Sequence, residues 1–273
     1  MELPDESILS EVKRLRKEGR ILDAWKLVRD LAPPEQWPTA TDRLGGALLL
    51  EKLGAEERAQ KIVFRAWHDP ASRAEARSAM FWEVLQERGA FLTWKWLRKY
   101  APSPDEPEDR HADHEAYMAV VLMRLRDFER ARACLDRGQK IQKKERWFSL
   151  LRADMLQEQD LREEALTLVE AVVKAEPDYI TAHISKAELL VELGRDDDAV
   201  QAMREALRLV QSGAIARRLA NLLTELDRYD KAEPLLKLYE ELMPLRDESC
   251  ADWLAATRCD IASHARDHDQ ALH

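Results

Sequence analysis

The chain is short of glycine: 8 in 273 residues, about 3% against roughly 7% in average usage. Such a sequence has few tight strand–helix turns and no glycine-rich phosphate loop. Long apolar runs are also missing. The longest candidates, Ala47-Leu48-Leu49-Leu50 and Met118 to Met123, fall far short of the ~20 residues that span a bilayer, so no membrane span is expected. The opening MELPDESILSEVKRLRKEG lacks the charged-then-apolar layout of a signal peptide. The three cysteines, Cys134, Cys250 and Cys259, are odd in number and lie in helical sequence. They speak against a disulfide framework and for a reducing cytoplasm. Asparagine occurs once, at Asn221, and arginine is abundant, which hints at a high-GC bacterial source. A net charge of −9 and a pI near 5.4 leave no general positive face to displace counterions from nucleic acid. No nucleic-acid partner is therefore expected. Absent as well are HExxH, GxSxG, a Walker loop and GxGxxG, so the chain is expected to be no enzyme and to use no cofactor.

What is present is a helical vocabulary. Ala, Leu, Glu and Arg dominate, all strong helix formers, and 45% of the residues are hydrophobic, enough for a core. The expectation is an all-α chain. Its small residues recur. Ala131, Ala165, Ala199 and Ala232 are spaced 34, 34 and 33 apart, and so are Ala119, Ala153, Ala187 and Ala220. Three residues after each of the latter comes a leucine: Leu122, Leu156, Leu190, Leu223. Four residues after each of the former stands a large apolar residue: Leu135, Val169, Met203, Leu236. Pro177 and Pro244 lie twelve residues after Ala165 and Ala232, where a second helix must stop. A small residue lets two helix axes approach, and the large one beside it fills the space next to the crossing.

A 34-residue helix–turn–helix unit with alanines at these crossings resembles the tetratricopeptide repeat. The chain keeps the family's second-helix alanine across 131–232 and replaces its first-helix glycine by alanine and its tyrosine by leucine. The resemblance implies an α-solenoid of antiparallel helix pairs, a right-handed superhelix. Looser units occupy 1–110, with anchors at Ala24, Ala59 and Trp94. Regular units occupy 111–244, and an incomplete last unit begins at 245 and runs to 273. The eighth unit stops in the first turn of its second helix. This suggests that the chain is the leading part of a longer protein, the alternative being a short frayed terminus. Two stretches read as linkers, Ala32 to Pro38 and Ala101 to Asp113, the latter with three prolines and five acidic residues.

The resemblance further implies a concave groove lined by the first helices. Carried onto this chain, its positions are Val120, Met123 and Arg124, then Trp147, Leu150, Asp154 and Glu158. Ile184, Glu188 and Glu192 follow, and then Arg217, Asn221 and Glu225 with Arg218 alongside. Arg217 and Asn221 are the expected polar anchors. They resemble the pair that opens the carboxylate clamp of chaperone-binding members, but the remaining clamp residues are not in register. A second candidate contact surface is aromatic. Eight of the eighteen aromatics fall between 64 and 100. Within Phe91 to Tyr100, Trp94 and Trp96 interleave with Lys95, Arg98 and Lys99. Such residues can form a protein hot spot, stack single-stranded nucleic acid, or simply fill a helix crossing where the small alanine is missing. Cys259, His264 and His268 have a spacing that a Zn²⁺ site could use, but a surface histidine pair is expected, and no metal. His111 and His114 carry the same expectation.

The function expected from these residues is a non-enzymatic scaffold holding a peptide or protein segment in its groove. Two alternatives are a regulatory arm ahead of a bacterial enzyme such as a peptidase, and a chaperone for an exported or assembling protein.

Overall fold

The computed structural model describes residues 1–141 and 145–271. Among these, the spacing of small residues becomes a pattern of burial. Ala131, Ala165, Ala199 and Ala232 are each fully buried, as are Ala119 and Ala220, with Ala153 and Ala187 close behind. Their large companions Leu135, Val169, Met203 and Leu236 are buried beside them. Of the leucines, only Leu156 stays partly exposed.

The described residues form fourteen α-helices and no strand. Helices α1 (Glu6–Lys17) and α2 (Ile21–Val28) make the first pair, α3 (Ala40–Lys52) and α4 (Glu56–His68) the second. The third is α5 (Arg73–Lys99), one element broken at Gly89. Three further packed pairs follow, α6 (Glu108–Arg124) with α7 (Phe128–Ile141), α8 (Glu145–Gln157) with α9 (Arg162–Ala175), and α12 (Gly213–Glu225) with α13 (Tyr229–Leu242); between the last two come α10 (Ile180–Glu192) and α11 (Asp196–Leu209), consecutive in the chain. A lone α14 (Glu248–Ala271) ends the series. No helix among the described residues is long and apolar enough to cross a membrane.

Every pair turns on a left-handed residue five positions before its anchor. Gly19, Gly54, Gly89 and Gly194 hold φ of 70–91°, and Arg126, Asp160 and Asp227 hold φ of 55–63°. The amide after that residue donates to a carbonyl five residues back, as in Asp127 to Leu122, Leu161 to Leu156 and Arg195 to Leu190. This is the Schellman closure of a helix C-terminus. The repeated leucine thus has two jobs: its side chain fills the crossing and its carbonyl receives the turn.

The chain divides into two compact units. One comprises Ala76–Ala202. Its core joins Phe81, Leu97, Tyr117, Leu135, Phe148 and Leu151. Gly138 is needed there, because a Cβ would stand 2.6 Å from the Phe148 ring. The expected linker 101–113 is shorter than its composition suggests: α6 already begins at Glu108, after Pro107, since acidic residues are favourable in a helix's first turn. What remains is stapled down by Glu106, which accepts from both Arg77 nitrogens (2.9 and 3.1 Å), from Arg110 (3.1 Å) and from the Ser103 amide (3.0 Å).

The other unit joins Met1–Glu75 to Met203–His273. Ala32 to Pro38 is no free linker. It forms a 3-10 turn over Pro34–Gln36 that buries Pro34 and Trp37. The Trp37 indole donates to the Ala32 carbonyl at 2.9 Å, and Gly46 leaves room for Pro34. A solenoid is held by contacts between neighbouring repeats, yet here the second repeat also meets the loop after the seventh. The Leu245 and Asp247 amides donate to the Leu53 and Gly54 carbonyls, both at 2.9 Å. The Asp247 carboxylate accepts from the Glu57 amide at 2.9 Å. Helix α4 begins after Ala55, which offers no capping side chain; Asp247 supplies the cap from 190 residues away.

Candidate interaction surfaces

Within Ala76–Ala202, side chains from successive first helices share one trough. Helix α6 contributes Val120, Met123 and Arg124, α8 contributes Asp154, the turn after it Glu158, and α10 contributes Glu192. These are six of the positions expected to face a groove. Two of the anions are neutralised, one by Arg126 in a turn and one by Arg162 at the start of α9. Arg126 bonds the Glu158 carbonyl and lies 3.2 Å from its carboxylate. Arg162 meets Glu192 at 2.9 Å, and Gln157 donates to the same carboxylate at 2.6 Å. Among the described residues, Asp154 and Arg124 make no hydrogen bond or ion pair through their side chains. Asp154 is largely buried, and its carboxyl is pushed up to about 6, first by that burial and then by repulsion from Glu188, with Arg124 opposing. Arg124 is exposed on the wall.

The sequence counts Trp82 among the aromatics of 64–100 but does not place it in the groove. It is 46% exposed and lines the trough on its apolar side. An aromatic ladder runs inward from it: Trp82 to Tyr117 at 6.4 Å, Phe81 stacked on Tyr117 at 4.2 Å, Tyr117 to Trp147 at 5.8 Å. Trp147 belongs to this ladder and packs against the core rather than lining the trough. Leu150 is buried, Ile184 is half-buried and Glu188 is exposed.

Arg217, Arg218 and Asn221 lie in the other unit, on α12. Helix α14 occupies two of them. The Trp253 indole donates to Asn221 Oδ1 at 3.0 Å, and the Arg217 guanidinium lies 4.8 Å from the center of the same ring. Trp253 in turn meets Tyr239 edge-on at 4.8 Å. Arg218 and Glu225 are exposed. The neighbour that engages Arg217 is thus an aromatic ring.

Trp94 and Trp96 are half-buried and pack on the core of Ala76–Ala202. Trp94 stands at the position where the other units place an anchor alanine. It lies nearly parallel to Phe91 at 6.3 Å, and Trp96 contacts Tyr100 at 5.6 Å.

Among the described residues the metal candidates do not converge. Cys259 is exposed, and His264 stacks on Tyr229 at 4.2 Å with Asp227 3.8 Å from its Nε2. The His268 side chain lies outside the described residues. No group of three metal-ligating side chains occurs among the described residues. His114 is held below the usual histidine range chiefly by burial. Burial likewise pushes the Cys134 thiol up to about 11.

No family model matches the sequence, and no curated protein sequence is similar to it. Solved structures do match. A tetratricopeptide repeat protein from Parabacteroides merdae aligns over 93% of this chain and 98% of its own, with 14% identity and a TM-score of 0.52. A thermophilic TPR protein of Thermus thermophilus aligns over 68% of this chain and 99% of its own, with 14% identity and a TM-score of 0.51. The fold is a TPR-like all-α helical repeat array.

Proposed function

We propose that the chain is a protein-interaction scaffold that seats an extended partner segment in the trough formed by α6, α8 and α10. The observation that carries this reading is the division of labour on the trough wall. Glu158 and Glu192 are satisfied by Arg126 and Arg162, while Asp154 and Arg124 keep their bonding capacity beside the apolar surface of Trp82, Val120 and Met123. A carboxylate accepts a partner's N–H, and a guanidinium donates to a carbonyl or carboxylate through a planar fork. An extended segment presents both kinds of group at short intervals, and its apolar side chains cover Trp82. Arg217 and Asn221 rank second as anchors because Trp253 already engages both.

The test is peptide-display selection on the immobilised chain, followed by affinity measurement on variants. Selected peptides are expected to lose about 5–50-fold affinity on Asp154→Ala or Arg124→Ala, the equivalent of about 1–2 kcal/mol for a charge-assisted bond. Trp253→Ala leaves them unaffected. Peptides that bind all three variants as they bind the parent would place the contact elsewhere.

A further inference from the structure

The second half of α5 is locally basic in an acidic chain. Residues 88–99 hold Arg88, Lys95, Arg98 and Lys99 and no Asp or Glu, in a protein of net charge −9. Among the described residues none of these four cations makes an ion pair, and all four are exposed. The inner face of this segment is committed: Thr93 and Leu97 are buried, and the Thr93 hydroxyl donates to the Gly89 carbonyl at 2.7 Å. What faces outward is a stripe at helical spacing. It has Phe91 (55% exposed) and Leu92 (48% exposed) at one end, then Lys95, Arg98 and Lys99. The stripe is braced. Lys95 Nζ sits 4.6 Å over Phe91, the Arg98 guanidinium 4.9 Å over Trp94, and Lys99 Nζ 5.1 Å over Tyr100. Side chains held this way lose less rotamer freedom when a partner arrives.

The geometry points to a second docking surface here, for a short acidic protein segment that carries one apolar side chain. It shares no residue with the trough. Carboxylates about one helical turn apart reach Lys95 and Arg98 or Lys99, and the apolar residue covers Phe91 and Leu92. An anionic bilayer fits less well. An interfacial helix buries a continuous apolar face, and here Thr93, Trp94, Trp96 and Leu97 face inward, leaving only two apolar side chains at one end. Single-stranded nucleic acid needs open aromatic faces for stacking, and here Lys95 sits over one face of Phe91 and Arg98 over one face of Trp94.

The experiment measures fluorescence anisotropy of a labelled acidic peptide, Glu-Glu-Leu-Glu-Glu-Glu-Glu, against the full chain. The parent is expected to bind, and to bind more weakly as salt is raised. The double reversal Lys95→Glu with Lys99→Glu is expected to lower affinity at least about tenfold, with circular dichroism verifying that the helices persist. Phe91→Ala gives a smaller loss, and Asp154→Asn in the trough gives none. The inference falls if the parent does not bind the peptide, if the double reversal leaves binding unchanged, or if Asp154→Asn removes it. It also falls if phosphatidylserine vesicles or an oligothymidine strand engage Lys95 and Lys99 while the peptide does not.

Discussion

Removing the Asp247 carboxylate tests how the two distant stretches of one unit hold together. In the parent, one oxygen accepts from the Glu57 amide (2.9 Å) and the other from the Cys250 amide (3.2 Å) and the Ser249 hydroxyl (3.0 Å). The residue therefore caps two helices at once, α4 and α14. A single N-cap is worth ~1 kcal/mol. Two caps on one ionised acceptor give a loss of about 2–3 kcal/mol for Asp247→Ala, the partly buried Cys250 amide adding an orphaned donor to the lost bonds. Asp247→Asn keeps an acceptor and is expected to lose about half as much. Burial opposes ionisation, but the bonds from Glu57, Cys250 and Ser249 outweigh it and hold the carboxyl below its ordinary range. This contribution is thus present above the unfolded-state carboxylate pKa and is lost as pH falls through the lower folded value. The assay is urea unfolding at neutral and acid pH, with hydrogen exchange read at Glu57, Arg58 and Cys250. Asp247→Ala should lower the midpoint, shrink the acid dependence and speed exchange at all three amides. If the midpoint holds and Glu57 exchange does not change, the cap from 190 residues away has no energetic role.

Three further outcomes are expected. Ala165→Leu and Ala199→Leu overpack fully buried crossings and should each cost about 1–3 kcal/mol in urea unfolding. Gly194 has φ of +70° and nothing within 4 Å of a built Cβ, so Gly194→Ala isolates backbone strain and should cost about 1–2 kcal/mol, with Gly194→Asn costing less. The Glu106 carboxyl lies at about 2 instead of 4.5, because bonds from Arg77, Ser103 and Arg110 overcome the opposing effect of burial. Its stabilisation is complete above about pH 4.5 and disappears as pH falls toward 2. Glu106→Gln should therefore remove part of the acid-unfolding slope, seen by titrating helicity from pH 6 to about pH 2.

The repeat was legible because burial and turn closure act on the same few positions. Ala119, Leu122 and Ala131 each meet a steric demand that few residue types satisfy, so the demand leaves a periodic trace. The left-handed turn leaves a weaker one. Arg126 and Asp160 take the place that Gly54 and Gly89 fill elsewhere, because the flanking helices impose the φ angle whatever the residue. Trp82 as a trough wall was illegible, since it lies in the repeat whose anchor alanine is missing and no register reaches it. The groove positions Arg124, Asp154 and Glu192 followed from that register, but the occupation of Arg217 and Asn221 by Trp253 needed the packing of α14. The Asp247 cap left only a negative sign: Ala55 opens α4 without a side chain able to cap it, and nothing local shows where the cap resides.

That cap also sets an order of events during synthesis. Glu57 leaves the ribosome 190 residues before Asp247, an interval of about 10–40 s at ordinary translation rates. Through that interval α4 has an open N-terminus, and Leu50, Ala55 and Val63 lack Leu245, which packs against their cluster in the finished protein. The unit Ala76–Ala202 is already synthesised in full when Asp247 emerges. The nascent chain therefore completes its centre first and its beginning last.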